Sequence, residues 1–346
     1  MTPIRGLRLG VVALTATLLV GCSGAGASPP HPTTQPTVRT TRADDSGQAR
    51  PQYVALAEAV AARGARVWVE TDLVRAWRAG PATYATVLDA VVSLADRPGV
   101  DGVKIADELG YNDKMDAADA TRFLGQATRD VHTRLPGRKV MIDMIVPELG
   151  CLAWQGSSAS TAMKLCAARE NARNPATTIA AVDGYVRQGG LDVLDLSAGL
   201  RSDSEYEGWG TSTDEAMTAI WVEAARRWGG MVRLQARKAL AHPGKYSGTK
   251  AQAEADVHTF VDIPLAEGAK AVDIWTWGQP YKGGTYQLTD PGLGDNALVE
   301  ALRARSNQGA ELWTHMTPSS LQRGLTQDVA AAVGTFGTIL VASGTG

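Results

Sequence analysis

The feature that most constrains this chain is a recurrence: six times a helix-forming stretch ends in glycine and passes into a short run rich in β-branched residues. The instances are ARGARVWVE (62–70), RPGVDGVKI (97–105), LPGRKVMID (135–143), QGGLDVLDL (188–196), WGGMVRLQA (228–236) and EGAKAVDIW (267–275). Glycine accepts the left-handed turn that closes a helix, and the run after it has strand character. The helices between carry start signals: proline in a first turn at Gly80-Pro81, an N-cap at Asp116, a cap with proline at Asn174-Pro175, and capping-box spacing at Ser212 with Glu215 and at Thr249 with Gln252. Strands alternating with helices predict parallel βαβ units and an α/β fold.

Two architectures accommodate such units. In a doubly wound open sheet, strands buried on both faces read as nearly continuous apolar runs. Here each strand alternates instead. Val67 and Val69, Val103 and Ile105, Val140 and Ile142, Leu194 and Leu196, Val232 and Leu234, and Val272 and Ile274 fall on one side. Trp68 and Glu70, Lys104 and Glu108, Met141 and Asp143, Val193 and Asp195, Arg233 and Gln235, and Asp273, Trp275 and Trp277 fall on the other. The first set predicts the face toward the helices, the second the lumen of a (β/α)8 barrel. Six strands are legible where a closed barrel has eight, so the expectation covers a complete, a distorted or an incomplete barrel.

The ends of the chain read differently. Arg5 and Arg8 precede an apolar run too short to span a bilayer, and residues 1–21 have the layout of a signal peptide. Leu19-Val20-Gly21-Cys22 resembles the lipobox of bacterial lipoproteins, which implies lipidation at Cys22, a membrane anchor and an extracytoplasmic location. Residues 22–50, rich in Ser, Pro, Thr and Gly, read as a tether; 51–306 as the barrel catalytic domain; and 307–346 as a C-terminal extension that packs on the barrel or adds a strand. The 44% hydrophobic content excludes disorder of the whole chain, and the formal charge of −2, without a basic block, argues against nucleic-acid binding. With Cys22 assigned, Cys151 and Cys166 remain as an even pair in an oxidising compartment and predict a disulfide. A monomer is expected.

Barrel chemistry sits at the C-terminal ends of the strands. There the sequence places Glu70, Asp107, Glu108, Asp143 and Asp195, with Lys104, Arg233, Gln235 and Asp273 nearby. Crowded carboxylates repel, so some hold protons while others stay ionised, the equipment for general acid/base work. Trp68, Trp275 and Trp277 read as aromatic platforms. Histidines are few and scattered, which argues against a metal centre, and no phosphate loop, serine elbow or cofactor motif occurs.

Residues 50 to 306 resemble the secreted TIM-barrel glycoside hydrolases, and Asp101-Gly-Val-Lys-Ile-Ala-Asp-Glu108 resembles the catalytic strand of the chitinase family at Asp101, Gly102 and Glu108. Lys104 and Ala106 replace that family's two intermediate aspartates. The resemblance implies a glycoside hydrolase acting on a carbohydrate. Glu108 would be its acid and Glu70, Asp143 or Asp195 its nucleophile or base, with no cofactor. Trp68, Lys104, Asp107, Arg233, Gln235, Asp273, Trp275 and Trp277 would contact the sugar. The alternative expectation is a lipoprotein that binds glycan or cell wall without cleaving it, its polar lumen being a satisfied ion-pair network.

Overall fold

The computed structural model describes residues 47–235, 240–281 and 284–344, with the chain path alone at 230 and 232–235. Its strands are β1 Arg66–Glu70, β2 Val100–Lys104, β3 Lys139–Ile145, β4 Val193–Ser197, β5 Val232–Gln235, β6 His242–Pro243, β7 Val272–Tyr281, β8 Gly284–Gln287, β9 Leu312–Met316 and β10 Thr338–Ala342. Eight are parallel and close a ring in the order β1, β2, β3, β4, β5, β7, β9, β10 and back to β1. β7 runs on past the mouth, and its Gly278–Tyr281 end pairs antiparallel with β8, which in turn pairs with β6. The chain is thus a (β/α)8-type barrel with a hairpin standing on its C-terminal rim.

The layout corrects one expectation. Of the two expectations for residues 307–346, packing on a barrel finished at 306 gives way and the added strand holds: they carry β9 and β10, and β10 closes the ring by pairing with both β1 and β9. Leu312–Met316 and Thr338–Ala342 alternate as the other strands do, and Gly337 stands just before β10 as glycine does before the earlier strands.

The alternation sorts the interior into two layers. Val67, Val69, Val103, Ile142, Leu194 and Ile274 join one continuous core with the helices around the barrel. Trp68, Met141, Val193, Ala271, Trp313 and Leu340 form a separate apolar plug in the lower lumen, where Trp68 and Trp313 lie with ring centroids 5.5 Å apart. Helix ends follow the capping chemistry: Asp116 accepts the Asp119 N–H, and Ser212 with Glu215 and Thr249 with Gln252 form reciprocal boxes. Asn174-Pro175 opens only a short 3-10 turn, Pro175–Thr177, and Thr178 caps the helix Ile179–Gln188 that follows.

Cys151 and Cys166 are joined by a disulfide, their Cα atoms 5.6 Å apart. Cys22, the expected signal peptide and the tether up to residue 46 lie outside the described residues. No helix among the described residues is long and apolar enough to cross a membrane.

Candidate active site at the barrel mouth

The upper lumen is organised around one ammonium. Lys104, the last residue of β2, is fully buried, with Nζ 2.6 Å from Glu70, 3.3 Å from Asp107 and 3.5 Å from Asp143. Burial alone would lower its pKa, but Glu70, Asp143, Asp107 and Asp195 more than offset that and hold it well above the ordinary lysine value. A lysine so held is a fixed positive charge, and it has no part as a nucleophile.

Around this charge the acids divide. Burial pushes the Asp143 carboxyl well up, against the pull of Lys104, and the charge of Asp107 with a hydrogen bond between the two side chains pushes the same way. Two carboxyl groups can share a hydrogen bond only when one carries a proton, and full burial favours the neutral form at Asp143. Asp195 is likewise raised, first by burial and then by the neighbouring carboxyls of Asp273 and Asp143. Glu70 goes the other way: burial raises it, but His315 and Lys104 together pull it far below the usual carboxylate range. His315 lies between Glu70, 2.8 Å from Nδ1, and Asp273, 2.8 Å from Nε2. Burial would lower its pKa; the two carboxylates raise it to about 10, so the ring is an imidazolium at neutral pH.

Above this network a cavity of about 710 Å3 opens at the mouth, lined by Asp107, Glu108, Tyr111, Asn112, Arg201, Phe260, Trp275, Gln279 and Tyr281 among others. Asp107 and Gln279 also line a second cavity of about 360 Å3 with Glu70, Thr317, Ser319 and Ser343. Asp107 lines a third, of about 340 Å3, with Asp72 and Arg78. Asp107 is therefore the one lumen acid that faces every opening of the mouth described here. Glu108 is buried on the wall of the large cavity with φ of 48°, a left-handed conformation that a non-glycine residue seldom adopts, and its carboxylate accepts from the Asn112 amide.

The expected site residues separate into three groups. Glu70, Asp107, Glu108 and Trp275 reach the mouth cavities. Lys104, Asp143, Asp195 and Asp273 are fully buried beneath them and line none of the three cavities described above. Trp68 is part of the lower plug, and Trp277 packs in the outer core against Phe336, because a register shift between Ile274 and Gly278 breaks the alternation of β7. Arg233 and Gln235 stand on β5, their side chains outside what is described. Sequence reasoning missed His315, hidden when its strand was read as an extension, and Asn112, whose spacing from Glu108 was the available signal. It also missed Gln279 and Arg201, which nothing in the pattern distinguished.

Fold and site together define a (β/α)8-barrel protein with an acid-rich, partly aromatic mouth. No family model matches the chain and no curated protein matches it. Among solved structures it is similar to the crystal structure of a putative phosphonomutase from Burkholderia cenocepacia J2315, with 14% identity over 83% of this chain and 92% of that one and a TM-score of 0.42.

The glycoside-hydrolase expectation is corrected on the arrangement of the acids in the lumen. The geometry gives a physical reason. Of the three acids expected as nucleophile or base, Glu70 is committed to Lys104 and His315, while Asp143 and Asp195 are fully buried and pushed up by that burial. Among the described residues, none of these three acids lines the large cavity with Glu108, where a pair flanking a scissile bond would have to stand. The carbohydrate partner and the glycan-binding alternative are likewise not carried further.

Proposed function

We propose that this chain is an enzyme that moves protons on a small organic molecule held in the mouth cavity. The observation that carries this reading is the Asp107–Asp143 pair. A fully buried carboxyl, pushed well above the usual carboxylate range by burial, is hydrogen bonded to the acid that faces all three openings. Such a pair takes a proton from substrate at Asp107 or returns one to it, while Asp143 and Lys104 hold the pair in register. Glu108, fixed by Asn112, offers a second carboxylate on the same wall. Lys104, His315 and Glu70 supply a fixed charge pattern that needs no rearrangement during reaction. The Cys151–Cys166 disulfide supports placing this activity in an oxidising compartment outside the cytoplasm.

The test is to incubate the purified chain with a broad metabolite mixture in deuterated water and follow label and product by mass spectrometry, with Asp107→Asn in parallel. A compound labelled or converted by the native chain and slowed at least about 100-fold by the variant is the expected result. Undiminished conversion by a folded Asp107→Asn protein, or no change in any compound, overturns the reading.

A further inference from the structure

The large cavity has two unlike walls. One is aromatic: Trp275 and Tyr281 line it with ring centroids 5.4 Å apart at 81°, and Tyr286 packs against both at 5.9 and 5.2 Å. The indole N–H of Trp275 donates to Gln279 Oε1 at 2.7 Å, so the largest of these rings is held in place before any ligand arrives. The other wall carries the carboxylates of Asp107 and Glu108.

Both walls favour the same sign of charge. Aromatic faces attract cations through the ring quadrupole, and carboxylates attract them directly. Arg201 is the one cation among the described lining residues, and its guanidinium is already engaged by Glu170 at 3.3 Å and by the Gly199 carbonyl at 3.0 and 3.2 Å. An anionic ligand would meet two carboxylates and a guanidinium already in use.

We infer that the large cavity takes a substrate bearing a cationic nitrogen, an ammonium or alkylated amine, seated between the Trp275–Tyr281 wall and the carboxylates of Asp107 and Glu108. The inference rests on the acid–base reading above, since it names the substrate class of the same site. The position puts the nitrogen beside the Asp107–Asp143 pair, so the atoms that exchange protons are those close to the charged centre. Whatever part of the molecule reaches beyond Asp107 and Gln279 enters the smaller cavity, whose wall carries Thr317, Ser319 and Ser343.

The test uses the native chain and two probes of one shape: choline, and its neutral isostere in which carbon replaces the quaternary nitrogen. Their affinities are read by calorimetry and by indole N–H shifts in NMR. Choline is expected to bind at least about tenfold more tightly than the isostere, and Trp275→Leu and Tyr281→Leu, each checked for native melting, reduce that preference about tenfold. Equal affinity for the two probes, preference for the neutral one, or no binding of choline overturns the inference. The probes need not react, so this outcome is independent of catalysis. Cation binding with no conversion found anywhere would instead count against the acid–base reading. A converted compound lacking a cationic nitrogen would overturn the substrate class and leave the chemistry standing.

Discussion

The ammonium of Lys104 lies 2.6 Å from the carboxylate of Glu70, its lateral neighbour across the β1–β2 ladder, and the two residues are register partners. The contact ties the first strand of the barrel to the second at the level where the lumen turns from apolar to charged. Below it lies the tryptophan plug; above it lies the mouth.

Removing the ammonium should therefore cost much more than a surface ion pair. Lys104→Met leaves Glu70 and Asp107 without their shared cation at a fully buried position, and a loss of about 3–5 kcal/mol is expected from urea unfolding. A loss below about 1 kcal/mol would show that the network is not held by this charge.

The dependence on pH follows from His315 and Glu70, which shift in opposite senses. His315 is raised in the fold from 6.5 to about 10, so its contribution is fully present below pH 6.5 and is lost as pH rises through about 10. Glu70 is depressed from 4.5, so its contribution is present above pH 4.5 and is lost only as pH falls through its lowered value. Stability from this pair should hold level between those two unfolded values and decline on the alkaline side. His315→Gln should flatten the alkaline decline. A His315 ring that NMR finds singly protonated at pH 8 would sink the argument.

Much of this was legible in the sequence, and the losses have specific causes. Period-two alternation placed Glu70, Lys104, Asp143 and Asp195 on lumen strands, because a pleated strand admits no other arrangement. It could not say which acids reach the cavity, since that depends on neighbours across the ring: Asp143 on β3 is fully buried beside Asp107, which stands in the loop after β2. Trp277 went astray for a local reason, the register shift in β7. His315 was lost with its whole strand, because Leu312–Met316 carries Trp313, Thr314 and His315 where the earlier strands carry a β-branched run, although the helix Ala297–Asn307 and Gly309 precede it as in the earlier units.

Gly102 tests the lower lumen. A Cβ there would meet the Trp68 ring at 2.6 and 2.8 Å and also the Lys139 carbonyl oxygen. Gly102→Ala should destabilise by about 1–3 kcal/mol in thermal or urea unfolding. Gly184, inside the helix Ile179–Gln188 with nothing within 4 Å of its Cβ position, supplies the contrast: Gly184→Ala should stabilise by about 0.5–1 kcal/mol. Equal effects at the two positions would mean that Trp68 yields freely.

The disulfide closes a segment of 15 residues between Cys151 and Cys166. Replacing both cysteines with serine, or adding reductant, should lower unfolding free energy by about 3 kcal/mol. The same segment leads back through the Tyr206 hydroxyl, which donates to the Gly150 carbonyl at 3.0 Å, to the loop that carries Arg201. Reduction should therefore also broaden NMR signals around Arg201, and signals that stay sharp would separate the disulfide from the mouth.

The pairing of β10 with β1 has a consequence for how the protein is made. Glu70 is synthesised early, yet its backbone carbonyl receives the Ser343 N–H at 2.7 Å and its strand gains its second neighbour only from residues at the far end of the chain. A ribosome still holding those last residues in its tunnel exposes β1 as a bare edge with its acid unsupported. Assembly of the mouth thus waits until β10 has emerged, and a chain stopped before residue 338 leaves the ring open however well its earlier strands have formed.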